Sequence, residues 1–447
     1  GDHRDLHSFP TRRSSDLHGQ RQGFAAVAPR LITRDGTVAC TGMELGVCGP
    51  VGSPYRGMRM EYPGEGQSLV TERLASSLDP RCLLLKVSQA RRVGGIDPAM
   101  GNYWVADLAL RLTGQRLLWT PYAIAMVDED LSIVEQSDLA RLKRSRKLPL
   151  PDEDRFLERW FRRIGHDPYR NPAWDRNYRG YVPEALPVLV YVSLPWNPVP
   201  KIVARAADQS GCGHYRILAP LRALLAAGSL RGGVTLRDLS LAEMSAVEAD
   251  TWVFQRQVKD SMLQAMEDCA RYAPGFRIYE IDDLITQVPE NSPHRQEFTP
   301  AMLDRFRRGV GLCHRLVVST QPLADAYGNL APETIVVPNR LPDGDWRHLS
   351  PGRRPGRRPR VGWAGSVSHQ ADLLMLGEVM AALADEVDWV FLGRCPAPLR
   401  PYVRETHPPV EMADYPEKLA SLDLDLAVAP LEINAFNEAK SNLKLLE

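Results

Sequence analysis

The 447-residue chain has no net charge, because Lys plus Arg and Asp plus Glu both number 55. With no overall field, nucleic acid and anionic membrane are not drawn to the whole surface, and any such binding must be local. Cysteine is sparse, with seven residues (Cys40, Cys48, Cys82, Cys212, Cys269, Cys313 and Cys395). None forms a CxxC pair and the spacing is not that of a secreted disulfide framework, so a reducing cytosol is expected. Long apolar runs are also missing. The best, "ALPVLVYVSLPW", is short of the ~20 residues that span a bilayer and is broken by proline. The opening residues lack a basic region followed by an apolar one, so no cleavable signal is expected. A full G-x-G-x-x-G fingerprint is absent as well: "GCGHYR" lacks its third glycine, which counts against a dinucleotide-dependent epimerase or dehydrogenase.

What is present is the composition of a soluble globular protein, 44% hydrophobic and 25% charged, with length for roughly two to four domains. Residues 1 to 17, "GDHRDLHSFPTRRSSDL", show no apolar period. Translating a common sequencing-library adapter gives the same peptide at every residue. The stretch is therefore expected to be an adapter-derived, disordered artefact and is excluded from fold reasoning.

From residue 18 to about 177 the pattern is α/β. "GFAAVAPRLITRDGTVACTGMELG" reads as strand, turn, strand around "RDG". "CLLLKVSQARRVGGIDPAMGNYWVADLALRLTGQRLLWTPYA" then alternates strand, glycine turn, helix and strand. In that helix Val105, Leu108, Ala109 and Leu112 share one face, Asp107 and Arg111 are expected off it, and Gly114 follows as a stop. From Asp138 to Arg179 the chain is polar. Its run "RLKRSRK" reads as a solvated connector, or alternatively as a patch for anionic lipid.

After a linker at 178–198, strands and helices alternate again. In "ILAPLRALLAAG" the residues Ile217, Leu218, Leu221, Leu224 and Leu225 are predicted to share one helical face. "DTWVFQRQV", "FRIYEIDDLI", "RLVVST" and "TIVVPN" are further strands, and "KDSMLQAMEDCARYA" and "AMLDRFRRGVGLCH" are helices. A basic connector at 350–360 leads to a second series, from "VGWAGSVSHQADLLMLGEVMAALAD" through "DWVFLG" and "LDLAVAPL". Such alternation predicts two doubly wound parallel sheets, at 199–349 and 361–447, with ligands at the carboxyl ends of their strands.

Three stretches carry chemistry suited to phosphate. In "SGCGHYR", Gly211 and Gly213 allow close backbone approach, with His214 and Arg216 at the helix start. In "WAGSVSHQAD", Gly365 and Ser366 end a strand and His369 and Asp372 follow. In "FNEAKSNLKLLE", a continuous helix from Asn437 would put Lys440, Lys444 and Glu447 on one face. Two ammonium groups there would meet a diphosphate. "EIDDL" adds Asp282 and Asp283 as acceptor contacts.

The motifs "VAPRLITRDGTV", "VGGIDP", "ADLALRLTGQRLLWTPYA" and "RFLERWFRRIGHDPYRNPAW" resemble the second half of a family-2 glycosyltransferase, a GT-A fold. An intact GT-A module implies a divalent metal held by an acidic motif upstream of this segment. The family's acidic-x-Asp-Leu pattern reads "VADL" here, with Val105 in the first carboxylate's place and Asp107 retained as the implied base. The order "GCGHYR", "YEIDDL", "VVPN", "VGWAGSVSH", "DLAVAPL", "FNEAKSNLKLLE" resembles family-4-type bacterial glycosyltransferases of the GT-B fold. That likeness implies no cofactor and no metal for the second module, and catalysis involving His214. It implies donor binding by Gly211, Gly213, Arg216, Gly365, Ser366, His369, Lys440, Lys444 and Glu447. Glu447 matches the second of the family's paired glutamates, while Ala439 stands at the first.

The resemblance implies a bacterial cytoplasmic fragment, with little activity and poor solubility on its own. Its parent transfers sugar from a nucleotide sugar to a glycan or lipid-linked acceptor in polysaccharide or O-antigen synthesis, with retention of configuration. It implies peripheral contact with the inner face of the membrane and no nucleic acid. A non-catalytic nucleotide-sugar-binding module is the alternative.

Overall fold

The computed structural model describes residues 23–112, 114–128, 151–176, 181, 183, 199–292, 295–350, 352, 358–365 and 369–447. Residues 1–17, the basic run at 141–147, most of the 178–198 linker and of the 350–360 connector, and Ser366 lie outside the described residues. The chain divides into two compact units. One is Gly1–Pro187 with Leu239–Glu248 and Asp268–Pro274, and the other is Val188–Asp238, Ala249–Glu267 and Gly275–Glu447. Among the described residues no helix is long and apolar enough to cross a membrane.

In the first unit the strands are β1 (Phe24–Ile32), β2 (Val38–Cys40), β3 (Glu44–Leu45), β4 (Val51–Gly52), β5 (Arg73–Ala75), β6 (Leu84–Leu85) and β7 (Arg116–Met126). The nearly all-apolar sequence of β1 suits a strand covered on both faces, and every residue of it but Phe24 is buried. It pairs in parallel with β7 and antiparallel with β2 and β6, giving the order β2-β1-β7-β5 with β6 off the path. The "RDG" turn between β1 and β2 is tied by Asp35, whose carboxylate accepts from the Thr37 amide at 3.2 Å and hydroxyl at 2.9 Å.

Helices α1 (Val87–Arg92) and α2 (Trp104–Arg111) follow β6. Val105, Leu108 and Leu112 enter the core beside Trp119, Tyr55 and Leu69. Asp107 lies off this face, outside that core cluster, yet it is 0% exposed. Its Oδ2 accepts from Arg111 Nε at 2.9 Å and Nη2 at 2.7 Å, and its Oδ1 from Arg159 Nη1 and Trp160 Nε1, both at 2.9 Å. A buried carboxylate persists when its lone pairs are filled by charged donors. Arg159 and Trp160 come from α3 (Pro151–Ile164), which buries Phe156, Leu157, Phe161 and Ile164. At the end of α3, Gly165 lies against the short helix Leu241–Val247, where a Cβ would collide with the Ala246 backbone nitrogen.

The second unit holds two parallel sheets. The first contains β8 (Lys201–Arg205), β9 (Arg231–Thr235), β10 (Thr251–Gln255), β11 (Phe276–Ile281), β12 (Arg315–Val318) and β13 (Thr334–Val336), in the order β13-β12-β11-β10-β8-β9. Its chain direction reverses between β8 and β10. The second contains β14 (Arg360–Gly365), β15 (Asp388–Gly393), β16 (Val403–His407) and β17 (Leu426–Ala427), in the order β16-β15-β14-β17, with its reversal between β14 and β17. In open α/β sheets, such reversals leave a crevice at the carboxyl ends of the strands.

After β8, a turn of π-helix over His214–Leu218 leads into α4 (Ala219–Ala226). Ile217 and Leu221 are buried, but Leu224 and Leu225 are 43% and 38% exposed, correcting the single apolar face expected for this segment. Every residue from Arg222 to Ser229 is exposed, so the last turn of α4 runs beyond the cover that buries Leu221. The helices α5 (Asp260–Tyr272) and α6 (Pro300–Gly311) form where their periodicity predicts, with Leu263, Met266 and Cys269 buried on α5 and Phe306 and Val310 on α6. Then come α7 (Gln321–Tyr327), α8 (Gln370–Leu374), α9 (Gly377–Ala382), α10 (Tyr415–Ala420), α11 (Ala435–Glu438) and α12 (Leu443–Leu446).

Candidate functional site

At the reversal of the first sheet, the loop after β8 turns back on itself around Asp208. Its Oδ1 accepts from the Ser210 amide at 3.0 Å, the Ser210 hydroxyl at 2.8 Å and the Gly213 amide at 3.1 Å. Its Oδ2 accepts from Arg256 Nη2 at 2.8 Å. The close approach that requires Gly213 is to the Asp208 carbonyl, into which a Cβ would run, whereas Gly211 has open space. The Gly213 amide read as suited to phosphate therefore points at the protein's own carboxylate.

Arg256 follows β10 at φ 44°, a strained backbone for a non-glycine residue. Its guanidinium lies 3.5 Å from Asp283 and 3.9 Å from the Cys212 sulfur. Ligand atoms of Cys212, Asp282 and Asp283 fall within 4.8 Å of one another, the only such group among the described residues. Burial, then Asp282 and Asp283, push the Cys212 thiol well up. Burial and the neighbouring Asp283 push up the Asp282 carboxyl. With the Arg256 guanidinium already seated against Asp283 and the Cys212 sulfur, the set does not fit a divalent cation. Nor do the first unit's buried carboxylates. Glu44 is paired with Arg73 at 3.2 Å and Arg170 at 2.8 Å, Asp167 accepts from the Leu45 amide at 2.6 Å, and Asp107 is enclosed as above.

A second chain of contacts begins at the end of β11. Glu280 is buried and pairs with Arg216 Nε at 2.6 Å. Burial raises its carboxyl, and Arg216 opposes that rise. Arg216 Nη1 also donates to the Val337 carbonyl at 2.6 Å and Asn339 Oδ1 at 2.8 Å. Asn339 in turn donates to the Ser441 hydroxyl at 2.7 Å, and Thr320 donates to the Ala439 carbonyl at 2.7 Å. Residues 439–442 are thereby drawn toward the first sheet. This corrects the continuous helix expected from Asn437: α11 and α12 are separate, and Lys440 and Lys444 do not share one face. Lys440 lies over the Phe436 ring with its ammonium 3.8 Å from Asp283.

Lys444 pairs with Glu447 at 2.7 Å. Glu447 also accepts from Tyr215 and Tyr415, each at 3.0 Å, and its side chain is 4% exposed. Burial and Glu447 push both phenols up, so they remain protonated donors. His214 is buried edge-on to Tyr215, and desolvation, helped by Arg222, lowers its basicity.

At the reversal of the second sheet, Gly365 ends β14 opposite Gly393. His369 Nδ1 is 3.0 Å from Asp372 Oδ2, an i, i+3 pair. The other oxygen, Asp372 Oδ1, accepts from the Glu432 amide at 2.9 Å and Asn437 Nδ2 at 2.8 Å. Asp372 thus ties the strand-to-helix turn to the loop that follows β17.

Of the sequence-predicted site residues, the second unit holds His214, Arg216, Asp282, Asp283, His369, Lys440, Lys444 and Glu447 in separate contacts: His214 with Tyr215, Arg216 with Glu280, Lys440 with Asp283, His369 with Asp372, and Lys444 with Glu447. Gly211, Gly213 and Gly365 shape its loops. Asp107 belongs to the first unit. Sequence reasoning missed Tyr215, Tyr415, Asp208, Arg256, Asn339 and Asn437 as members of these networks; Tyr215, Tyr415, Arg256 and Asn339 have partners far along the chain, whereas Asp208 also binds Ser210 and Gly213 close by.

No family model matches the sequence, and no curated protein matches it. Among solved structures, it is similar to sucrose-phosphate synthase from Thermosynechococcus elongatus, with 11% identity and TM-score 0.39, over 53% of this chain and 77% of that one. It is similar to MurG from Acinetobacter baumannii at 14% identity and TM-score 0.29, over 54% and 81%. The glycosyltransferase of kitacinnamycin is 15% identical at TM-score 0.28, over 54% and 84%.

Proposed function

We propose that the second unit transfers a sugar from a nucleoside diphosphate sugar to a hydroxyl of a glycan or lipid-linked acceptor. Its setting is cell-surface polysaccharide synthesis at the cytoplasmic face of the membrane. The observation that carries this reading is that two cations act on His369: Lys440, whose ammonium is 3.8 Å from Asp283, and Lys444, which pairs with Glu447. During transfer the acceptor hydroxyl oxygen bonds the anomeric carbon and its proton passes to solvent, while the bond between that carbon and the phosphate oxygen breaks and its electron pair leaves with the diphosphate. Two fixed ammonium groups stabilise that charge, commonly the largest contribution to rate. Glu447, buried and already accepting from Tyr215, Tyr415 and Lys444, holds the Lys444 ammonium in place, and Asp282 and Asp283 are poised to orient acceptor hydroxyls. The first unit, resembling the second half of a GT-A domain, is assigned no step of transfer.

The test is incubation of the chain with uridine, thymidine and guanosine diphosphate sugars and a panel of glycan acceptors, following nucleotide release and product. Turnover that falls about a hundredfold in Lys444→Ala supports the reading; unchanged turnover in that variant removes it. A second reading, a nucleotide-sugar-binding module without turnover, is favoured by the engagement of both Glu447 oxygens. Binding without release identifies it.

A further inference from the structure

Resting on the glycosyl-transfer reading, we propose that His369 takes up a proton when a nucleoside diphosphate binds and then donates a hydrogen bond to the leaving diphosphate, with Asp372 as its positioning residue. The geometry starts from Asp372. One of its oxygens is held by the Glu432 amide and by Asn437, which leaves the other aimed at His369 Nδ1 at 3.0 Å. That contact fixes the proton on Nδ1, so Nε2 is the nitrogen at which a second proton adds.

The groups acting on the ring come from several elements. Asp372 on α8 favours the imidazolium. Lys440 after α11 and Lys444 on α12 oppose it, as does burial, the side chain being 18% exposed. The Trp363 ring of β14 packs edge-on at 6.4 Å and carries no charge. Without ligand, burial and two cations prevail and the ring's basicity is lowered. A diphosphate beside Lys440 and Lys444 reverses the local field. The imidazolium then lies between two anionic partners, Asp372 and the phosphate, which is the arrangement that most favours it.

The balance is simple. One proton passes from solvent to Nε2 on binding and returns to solvent when the diphosphate leaves, so none is consumed by the transfer. In the bond-breaking step the electron pair of the bond between the anomeric carbon and the phosphate oxygen goes to that oxygen, and Nε2–H donates to that charge. Asp372 keeps the ring in one orientation and stabilises its charged form without meeting substrate.

Calorimetric titration of the 447-residue chain with uridine, thymidine and guanosine diphosphates, in buffers of different ionisation enthalpy at about pH 7.5, counts the protons. Net uptake approaching about one per nucleotide is expected in the parent. His369→Gln should still bind, about tenfold more weakly below neutral pH, without that uptake. Asp372→Asn should lower the uptake and Asp372→Glu restore part of it. Nitrogen NMR of labelled histidine in the unaltered chain provides a check independent of how the variants fold: the His369 ring signals should move from neutral to charged positions on saturation. Binding without proton uptake, or uptake intact in His369→Gln, overturns this inference alone. Absence of binding by all three nucleotides overturns the glycosyl-transfer reading and this inference with it.

Discussion

Tyr215 donates its phenol to Glu447 across 232 residues of sequence, at 3.0 Å. Tyr215 lies in the π turn after the first strand of one sheet, and Glu447 follows the last helix beyond the other. The contact joins the two sheets of the second unit through a carboxylate that Tyr415 and Lys444 also hold. Tyr215→Phe removes one donor and leaves the other two. The expected cost is about 1–3 kcal/mol of stability, as for a hydrogen bond to a charged group, measured by urea unfolding. Tyr415→Phe should behave alike, and the double variant should depart from additivity because the pair shares one acceptor.

Asp107 offers a sharp contrast between a structural and a chemical role. Asp107→Asn leaves the half-buried Arg111 and the exposed Arg159 without their counter-charge, and the expected loss is about 1–3 kcal/mol, seen as a lower unfolding midpoint of the first unit. Transfer by the second unit should be unchanged under conditions where the variant is folded. Loss of transfer with unchanged stability would instead restore Asp107 as a base.

Gly213 and Gly211 provide a matched pair. Gly213→Ala drives a methyl group into the Asp208 carbonyl and should cost roughly 2–4 kcal/mol. Gly211→Ala meets nothing within 4 Å and should change stability by less than about 1 kcal/mol. Thermal unfolding of both variants separates a loop built around Asp208 from one built around a ligand.

Acid sensitivity follows from Arg360 and Glu405, joined at 2.7 and 2.9 Å. The Arg360 hydrogen bonds are the largest cause holding the Glu405 carboxyl down, to about 2. A carboxyl lowered in the folded state stabilises it above the unfolded value near about 4.3, and that contribution fades as pH falls toward 2. The stability difference between the parent chain and Glu405→Gln should therefore be constant above about pH 5 and shrink between pH 4 and 2. A difference independent of pH would show that the pair contributes nothing through ionisation.

Much of the second unit was legible in the sequence because its strands are short apolar runs between turn residues and its helices keep a clear period. β14, for instance, forms where "VGWAG" predicts, and α5 buries Leu263, Met266 and Cys269. The His369 and Asp372 pair was also visible, being three residues apart. Lys440, Lys444 and Glu447 were misplaced for a physical reason: the break at 439–442 is held by Thr320 and Asn339, and no local pattern encodes those bonds. Leu224 and Leu225 were misplaced because helical spacing does not encode where the cover over a helix stops, and here it stops after Leu221. In the first unit, the spacing that identified the core face of α2 hid the burial of Asp107. Its partners Arg159 and Trp160 lie about fifty residues on.

The groups around Asp208 and Glu280 stand where β8, β10 and β11 run out at their carboxyl ends, whereas the Arg360 and Glu405 pair sits at the amino end of β14. The opposite turns, such as those before β9 and β11, carry none of this chemistry. Bulk and chemistry are therefore separately adjustable. Loops at the carboxyl ends can be exchanged on sheets that stay as they are.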